Sequence, residues 1–230
     1  MMNNNKKSNQ TNNTLPKGPE GLNKSTNKLR WILLALIIFS IIAIVFILSQ
    51  LTPDENRSAD AANPLRAVGP DSAPVTITEF ADFGCITCQA WHQFGIREQI
   101  IDAYGDQVRF VWRDFPVTTT HSPKAAEAGF CAHDQDRFWD YHAILFENAP
   151  ALAGENLKAY AQQIGLNMGE FNQCLDSGKH QQAVEKELDE AKKLGLRGVP
   201  SFIVNGKRLI GPPSFEQLAA TIDTILTSQE

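Results

Sequence analysis

The first 30 residues have almost nothing apolar to bury. They are rich in Asn, Lys, Thr and Gly, so burial cannot offset the entropy of ordering them. A packed domain is excluded there, and a disordered tail is expected. The next segment lacks the opposite property. Trp31–Leu48 (WILLALIIFSIIAIVFIL) carries no charge, and Ser40 is its only polar residue. A soluble surface helix needs a polar face, and this run has none. At about 1.5 Å per residue it spans about 27 Å, close to the hydrocarbon core of a bilayer. Positive charge is in deficit after it. Six cationic side chains against Glu20 give residues 1–30 a net +5, which leaves −10 on the rest of a chain of −5. An acidic body argues against nucleic acid as a partner. No internal repeat divides the chain.

The charge asymmetry orients the apolar run, because basic flanks stay cytoplasmic. The expected order is a cytoplasmic tail over 1–30, a transmembrane anchor over 31–51, a polar linker over 52–68 and an exported folded domain over 69–230. An uncleaved anchor is expected over a cleaved signal. The apolar run is long, and the small-residue stretch Ser58–Ala62 lies well past its end. No cysteine closes the run, so lipid attachment there is not indicated. The chain has only four cysteines: Cys85, Cys88, Cys131 and Cys174. An even count in an exported domain fits two intramolecular disulfides.

Within the folded part, Val75–Phe80 alternates and is β-branched, which predicts a strand. A helical pattern runs from Cys85 to about Tyr104, and Val108–Arg113 predicts a second strand that Pro116 stops. Ser122-Pro123 opens a helical stretch, with Ser as cap and Pro at the first helical position. Further helices are expected over 155–164, 169–176 and 179–194. Two short strands then flank Asn205-Gly206, a strong hairpin signal. Ser214 to Gln217 reads as a capping box for a last helix. The result is an α/β fold with a mixed sheet, interrupted by a helical insert at about 118–194.

The segment EFADFGCITC, residues 79–88, places Cys85 and Cys88 between a strand and a helix. Backbone N–H groups and the helix dipole stabilise a thiolate at a helix N-terminus. The thiolate attacks disulfides, and a second cysteine one turn later can displace the first from a mixed disulfide. A zinc site could use the spacing Cys85, Cys88, His92, but structural zinc wants four ligands and no fourth is evident. Haem attachment needs His where Gln89 stands. No cofactor is expected. His92 has no assigned role in this reading. His121, His133 and His142 read as capping or packing residues, and Trp91, Trp112, Phe138 and Trp139 as core.

Several stretches together resemble the DsbA-type thiol–disulfide oxidoreductases of the thioredoxin fold. They are residues 69–75 (GPDSAPV), 79–83 leading to Cys85, 138–142 (FWDYH) with 145–148 (LFEN), and 198–200 (GVP) leading to 204–207 (VNGK). The resemblance implies a thioredoxin-like fold with a helical insertion, preceded here by the single transmembrane helix. It implies Cys85 as the attacking cysteine and Cys88 as the resolving one. Pro200 matches the family's cis-proline beside the active disulfide, and Glu79 its buried strand acid, placed to take the proton of Cys88. Val199, Ile86 and Thr87 are expected to touch substrate. Cys131 and Cys174, on two insert helices, are expected to form a structural disulfide rather than remain free thiols.

Many family members carry Pro after the first cysteine, and the strongly oxidising ones carry His before the second. Here Ile86 and Thr87 stand at those places. The missing His removes a partner for the Cys85 thiolate, which leaves the exchange chemistry in place and the direction of net electron flow open. The resemblance implies thiol–disulfide exchange with exported proteins, and the expected direction is that of an oxidase recharged by a quinone-linked membrane thiol oxidase. A reductase or isomerase of the same fold stays open, and so does a non-catalytic peptide-binding factor.

Overall fold

The computed structural model describes residues 30–41, 66–209 and 211–228. Contacts divide the chain into two units, 1–58 and 59–230. In the first, residues 30–41 are helical. Among the described residues no helix is long and apolar enough to cross a membrane. The expected span continues over 42–51, which lies outside the described residues.

The second unit is built on a five-stranded sheet of order β1-β3-β2-β4-β5. Its strands are β1 (Ala67–Val68), β2 (Val75–Ala81), β3 (Val108–Asp114), β4 (Ser201–Val204) and β5 (Lys207–Leu209). β2 and β3 run parallel, and the other pairings are antiparallel. Between β2 and β3 lie α1 (Ile86–Gln93) and α2 (Ile96–Tyr104). Five helices separate β3 from β4: α3 (Ser122–His133), α4 (Phe138–Glu147), α5 (Gly154–Gln163), α6 (Met168–Ser177) and α7 (Gln181–Lys193). α8 (Phe215–Thr227) closes the fold.

Side-chain alternation along β2 decides what lies under what. Val75 and Ile77 join Trp91, Ile100 and Ile222 in a core on the α1–α2–α8 face. Phe80 points the other way and packs with Ala191 of α7 and Leu196. Glu79 has the parity of Val75 and Ile77, so it falls on the face that α1 covers. The hairpin forms at Asn205 and Gly206, both at positive φ (44° and 83°). The Asn205 side chain also accepts from Thr76 N–H at 2.7 Å and donates to the Pro74 carbonyl at 2.8 Å, tying the hairpin to β2. Ser214 and Gln217 form the capping box of α8.

Three expectations need correction. The folded unit begins before Gly69: Arg66 is wholly buried and Ala67–Val68 pair with β3. Two residues are too few to show alternation, so tertiary contact alone makes them a strand. The helix expected from Cys85 to Tyr104 breaks at Gly95, whose φ of 63° only glycine adopts readily. Ser122 does not cap α3. Its hydroxyl accepts from Thr119 N–H and bonds the Thr119 hydroxyl, so it holds the preceding turn instead.

A buried charge cluster ties the start of this unit to β3 and α7. Arg66 donates to Asp114 at 2.5 Å and to Glu187 of α7 at 3.1 Å. Glu187 also accepts from the Asp114 backbone N–H at 2.6 Å. Burial pushes the Asp114 carboxyl up to about 6, against the pull of the Arg66 guanidinium. Cys131 of α3 and Cys174 of α6 are joined by a disulfide. It closes a loop with a sequence separation of 43. Such a loop stabilises by about 4 kcal/mol in the chain-entropy account. Arg66→Ala strips Asp114 of its guanidinium, and a broken buried pair costs about 3–5 kcal/mol. The variant's Asp114 carboxyl rises further, so its folded state keeps a proton that the unfolded chain has released. Its stability deficit should therefore grow as pH rises through 6. Urea unfolding of both proteins at pH 5 and pH 8 checks this, and a pH-independent deficit would show that Asp114 does not carry the effect.

Candidate active site

The loop after β2 delivers Cys85 to the start of α1, and a single carboxylate shapes that loop. Asp82 accepts from Gly84 N–H at 2.7 Å, and from Val117 and Thr118 N–H at 2.8 and 2.7 Å. Gly84 is required by a close approach, since a Cβ there would lie 2.8 Å from Ser122 Oγ. Cys85 itself occupies the N-cap position, in extended backbone. Its sulfur takes the place of the usual capping oxygen and accepts from Cys88 N–H at 3.3 Å.

Cys85 and Cys88 are unbonded and buried, and they differ sharply in acidity. The hydrogen bond from the Cys88 thiol is the largest influence on Cys85. It outweighs burial and, with the N–H groups of Cys88 and Thr87, lowers the Cys85 thiol to about 6. Burial pushes the Cys88 thiol far above the ordinary thiol range. The hydrogen bond that it gives Cys85, and the charge of Glu79, push the same way. Such a pair holds a proton on the inner sulfur and a negative charge on the outer one.

The flanking residues surround the outer sulfur. Cys85 lies 3.6 Å from the Val199 carbonyl oxygen, and the Val199–Pro200 peptide that follows is cis. A groove of about 560 Å³ adjoins this loop, with Arg197, Ser201, Arg208 and Leu209 in its walls. Ile86 is 79% exposed beside the sulfur and Thr87 is exposed next to it. Glu79 is buried beneath α1, where its Oε1 lies 3.1 Å from His92 Nε2. The structure thus gathers Cys85, Ile86, Thr87, Cys88, Val199 and Pro200 around one helix start and sets Glu79 against His92 in the last turn of the same helix. Cys131 and Cys174 stand apart, in the insert.

Sequence reasoning missed three contributors. Asp82 bonds groups 35 and 36 residues away, a separation that no local pattern reveals. Gln89 donates to the carbonyls of Phe146 and Ala149 at 2.7 and 3.3 Å, clamping α1 to the end of α4. His92, which has no role in the sequence reading, bonds Glu79. Its spacing of four from Cys88 puts both on one helix face, and that is the available signal.

Thiolate absorbance titrated against pH should show one midpoint near 6 for Cys85. Alkylation of Cys85 should slow about tenfold per unit below it, as thiolate is lost. Cys88→Ala removes the largest stabilising hydrogen bond and should move the midpoint up, while Cys88→Ser, which keeps a donor, should move it less. An unshifted midpoint in Cys88→Ala would assign the effect to the helix backbone instead.

A family model described as Thioredoxin matches residues 62–224. A probable disulfide bond formation protein D of Bacillus anthracis is 30% identical over 222 residues, covering 87% of this chain and 97% of the relative. The crystal structure of oxidised BdbD from Bacillus subtilis superposes with a TM-score of 0.65 at 26% identity, covering 70% of this chain and 92% of BdbD. A protein of Salinispora tropica named Na(+)/H(+) antiporter NhaA 3 is 35% identical over 163 residues, 70% of this chain. The chain spans only 24% of that relative, so nothing about ion transport carries over. The chain belongs to the thioredoxin family and, within it, to the DsbA-type thiol–disulfide oxidoreductases.

Proposed function

We propose that the chain is a membrane-anchored oxidase that introduces disulfides into exported proteins through Cys85 and Cys88. The observation that carries this is the split acidity of the pair. In the oxidised enzyme a substrate thiolate attacks Cys85 Sγ. The Cys85–Cys88 bond breaks, and Cys88 leaves and takes up a proton. A second substrate thiolate then attacks the substrate sulfur of the mixed disulfide. The substrate disulfide forms, and Cys85 departs as a thiolate. Two electrons have passed from two substrate thiols to the enzyme. A leaving thiol lowered to about 6 departs easily. The reverse direction must deprotonate buried Cys88, which is costly. The name of the Bacillus anthracis relative, a probable disulfide bond formation protein, supports the same direction.

In this reading Val199, Pro200, Ile86 and Thr87 form the surface that receives substrate backbone, and Glu79 takes the Cys88 proton when the disulfide re-forms. The apolar run of Trp31–Leu48 and the +5 before it support an anchor with the enzyme outside the cytoplasm. A quinone-linked membrane thiol oxidase would remove the two electrons. No bound cofactor is needed, since the two sulfurs carry the whole exchange.

Cys88→Ala leaves Cys85 able to attack and removes the group that resolves. Mixed disulfides with exported proteins should accumulate on non-reducing gels, and Cys85→Ala should show none. Equilibrated with glutathione, the wild-type pair should have a potential above about −200 mV. A potential below about −230 mV would replace the oxidase with a reductase. An absence of trapped partners in Cys88→Ala would remove the oxidoreductase reading of this site.

A further inference from the structure

Cys88 must lose a proton to close the disulfide, yet it is wholly buried. Glu79 is also buried, at 3% exposure, so a proton it accepts needs an outlet. One polar contact leads from it towards solvent. Its Oε1 lies 3.1 Å from Nε2 of His92, one helical turn beyond Cys88 on the same face of α1. His92 lines a recess of about 290 Å³ together with Arg97, Glu98, His142, Phe146 and Glu147. Only 7% of its side chain is exposed.

The packing fixes the ring between carboxylate and recess. It stacks on Phe146 at 4.4 Å, with an interplanar angle of 22°, and meets His142 edge-on at 4.5 Å. The charged and titratable groups around it can be named element by element. Glu79 faces it from β2. From α2 come Arg97, which is bound to Glu98 and stacked over Trp139, and Glu98 itself. From α4 come His142 and Glu147. On its own helix there is Cys88. His142 is wholly buried with neither ring nitrogen bonded, and burial holds it well below the ordinary histidine range, so it remains a neutral wall.

We propose that His92 is the proton outlet of the active site, a positioning residue through which Glu79 exchanges the Cys88 proton with water in the recess. The proposal rests on the oxidoreductase reading. Cys88–SH passes its proton to the Glu79 carboxylate. The resulting thiolate attacks Cys85 of the mixed disulfide, so the Cys85–Cys88 bond forms and the substrate leaves as a thiolate. One proton then leaves the Glu79–His92 pair from the ring to recess water, which restores the starting state. When substrate reduces the enzyme, Cys88 regains its proton along the same route.

The test uses the full chain with Cys85 loaded as its glutathione mixed disulfide, and follows release of glutathione. His92→Gln keeps a group that can bond Glu79 but cannot relay a proton. His92→Ala opens the recess to a small base. Both should slow release by about 100-fold or more at pH 7, since general acid–base help is worth about 10²–10⁴-fold. Release should become dependent on imidazole concentration in His92→Ala, while wild type stays independent of it. In a Glu79→Gln background, His92→Gln should slow release no further, because the two residues act in series. Release from His92→Gln at the wild-type rate would overturn the proposal. So would slow release that imidazole leaves unchanged and that adds to the Glu79→Gln effect, as a purely structural role would give. Trapping by Cys88→Ala separates the two levels: trapped partners together with an unaffected His92→Gln would sink the outlet alone, and absent partners would sink the reading beneath it.

Discussion

The hydrogen bond from Cys88 to Cys85 is the interaction on which the site depends. It requires the inner sulfur to keep its proton, and burial ensures that it does. It requires the outer sulfur to sit at a helix start, where backbone N–H groups share its charge. Each condition costs something. Burying a thiol beside a carboxylate makes its proton hard to remove, and leaving a sulfur as cap gives up a better oxygen acceptor. The rest of the unit makes both conditions hold together. β2 carries Glu79 to the covered face, Asp82 ties its own loop to the segment after β3, and Gln89 clamps α1 to the insert.

The insert therefore does more than enlarge the protein. Phe83, Trp112, Phe138 and Phe146 pack around the inner side of α1 and exclude water from Cys88. The Cys131–Cys174 disulfide holds α3 to α6, so the wall behind this cluster is cross-linked. The Arg66, Asp114 and Glu187 cluster fastens α7 to β3 and to the residue that precedes β1. A looser insert would admit water, lower the cost of ionising Cys88 and erase the difference between the two sulfurs.

What can be read in the sequence is what local chemistry dictates. The β-branched alternation of β2, the Asn205-Gly206 turn and the Ser214 capping box need no distant partner, and each is legible. The cysteine pair is legible because its strand-to-helix context lies within about ten residues. β1 is not, because two residues become a strand only when β3 accepts them, in the register Ala67 to Val111 and Val68 to Phe110. Ser122 reads as a cap because serine before proline commonly is one, but its hydroxyl bonds Thr119 instead. The Glu79–His92 contact needs the crossing of α1 over β2, which a one-dimensional pattern does not contain.

The residues between the cysteines take on a different meaning in this light. Family members that place His before the second cysteine use a side chain to favour the outer thiolate. Here the Cys85 thiol is already lowered by groups that any residue pair would leave in place: the Cys88 thiol and the N–H groups of Cys88 and Thr87. A histidine is therefore not the only way to build an easily departing sulfur. With acidity supplied by the backbone and the partner sulfur, Ile86 and Thr87 are released from electrostatic duty. Ile86 projects an apolar side chain into solvent beside the reactive sulfur, and the Val199 carbonyl lies against the same sulfur. Under the proposed function that pairing suits an unfolded chain, which offers both apolar side chains and unpaired backbone groups. Selectivity would then rest on contact at the loop, while reactivity rests on the buried pair, and the two could vary independently.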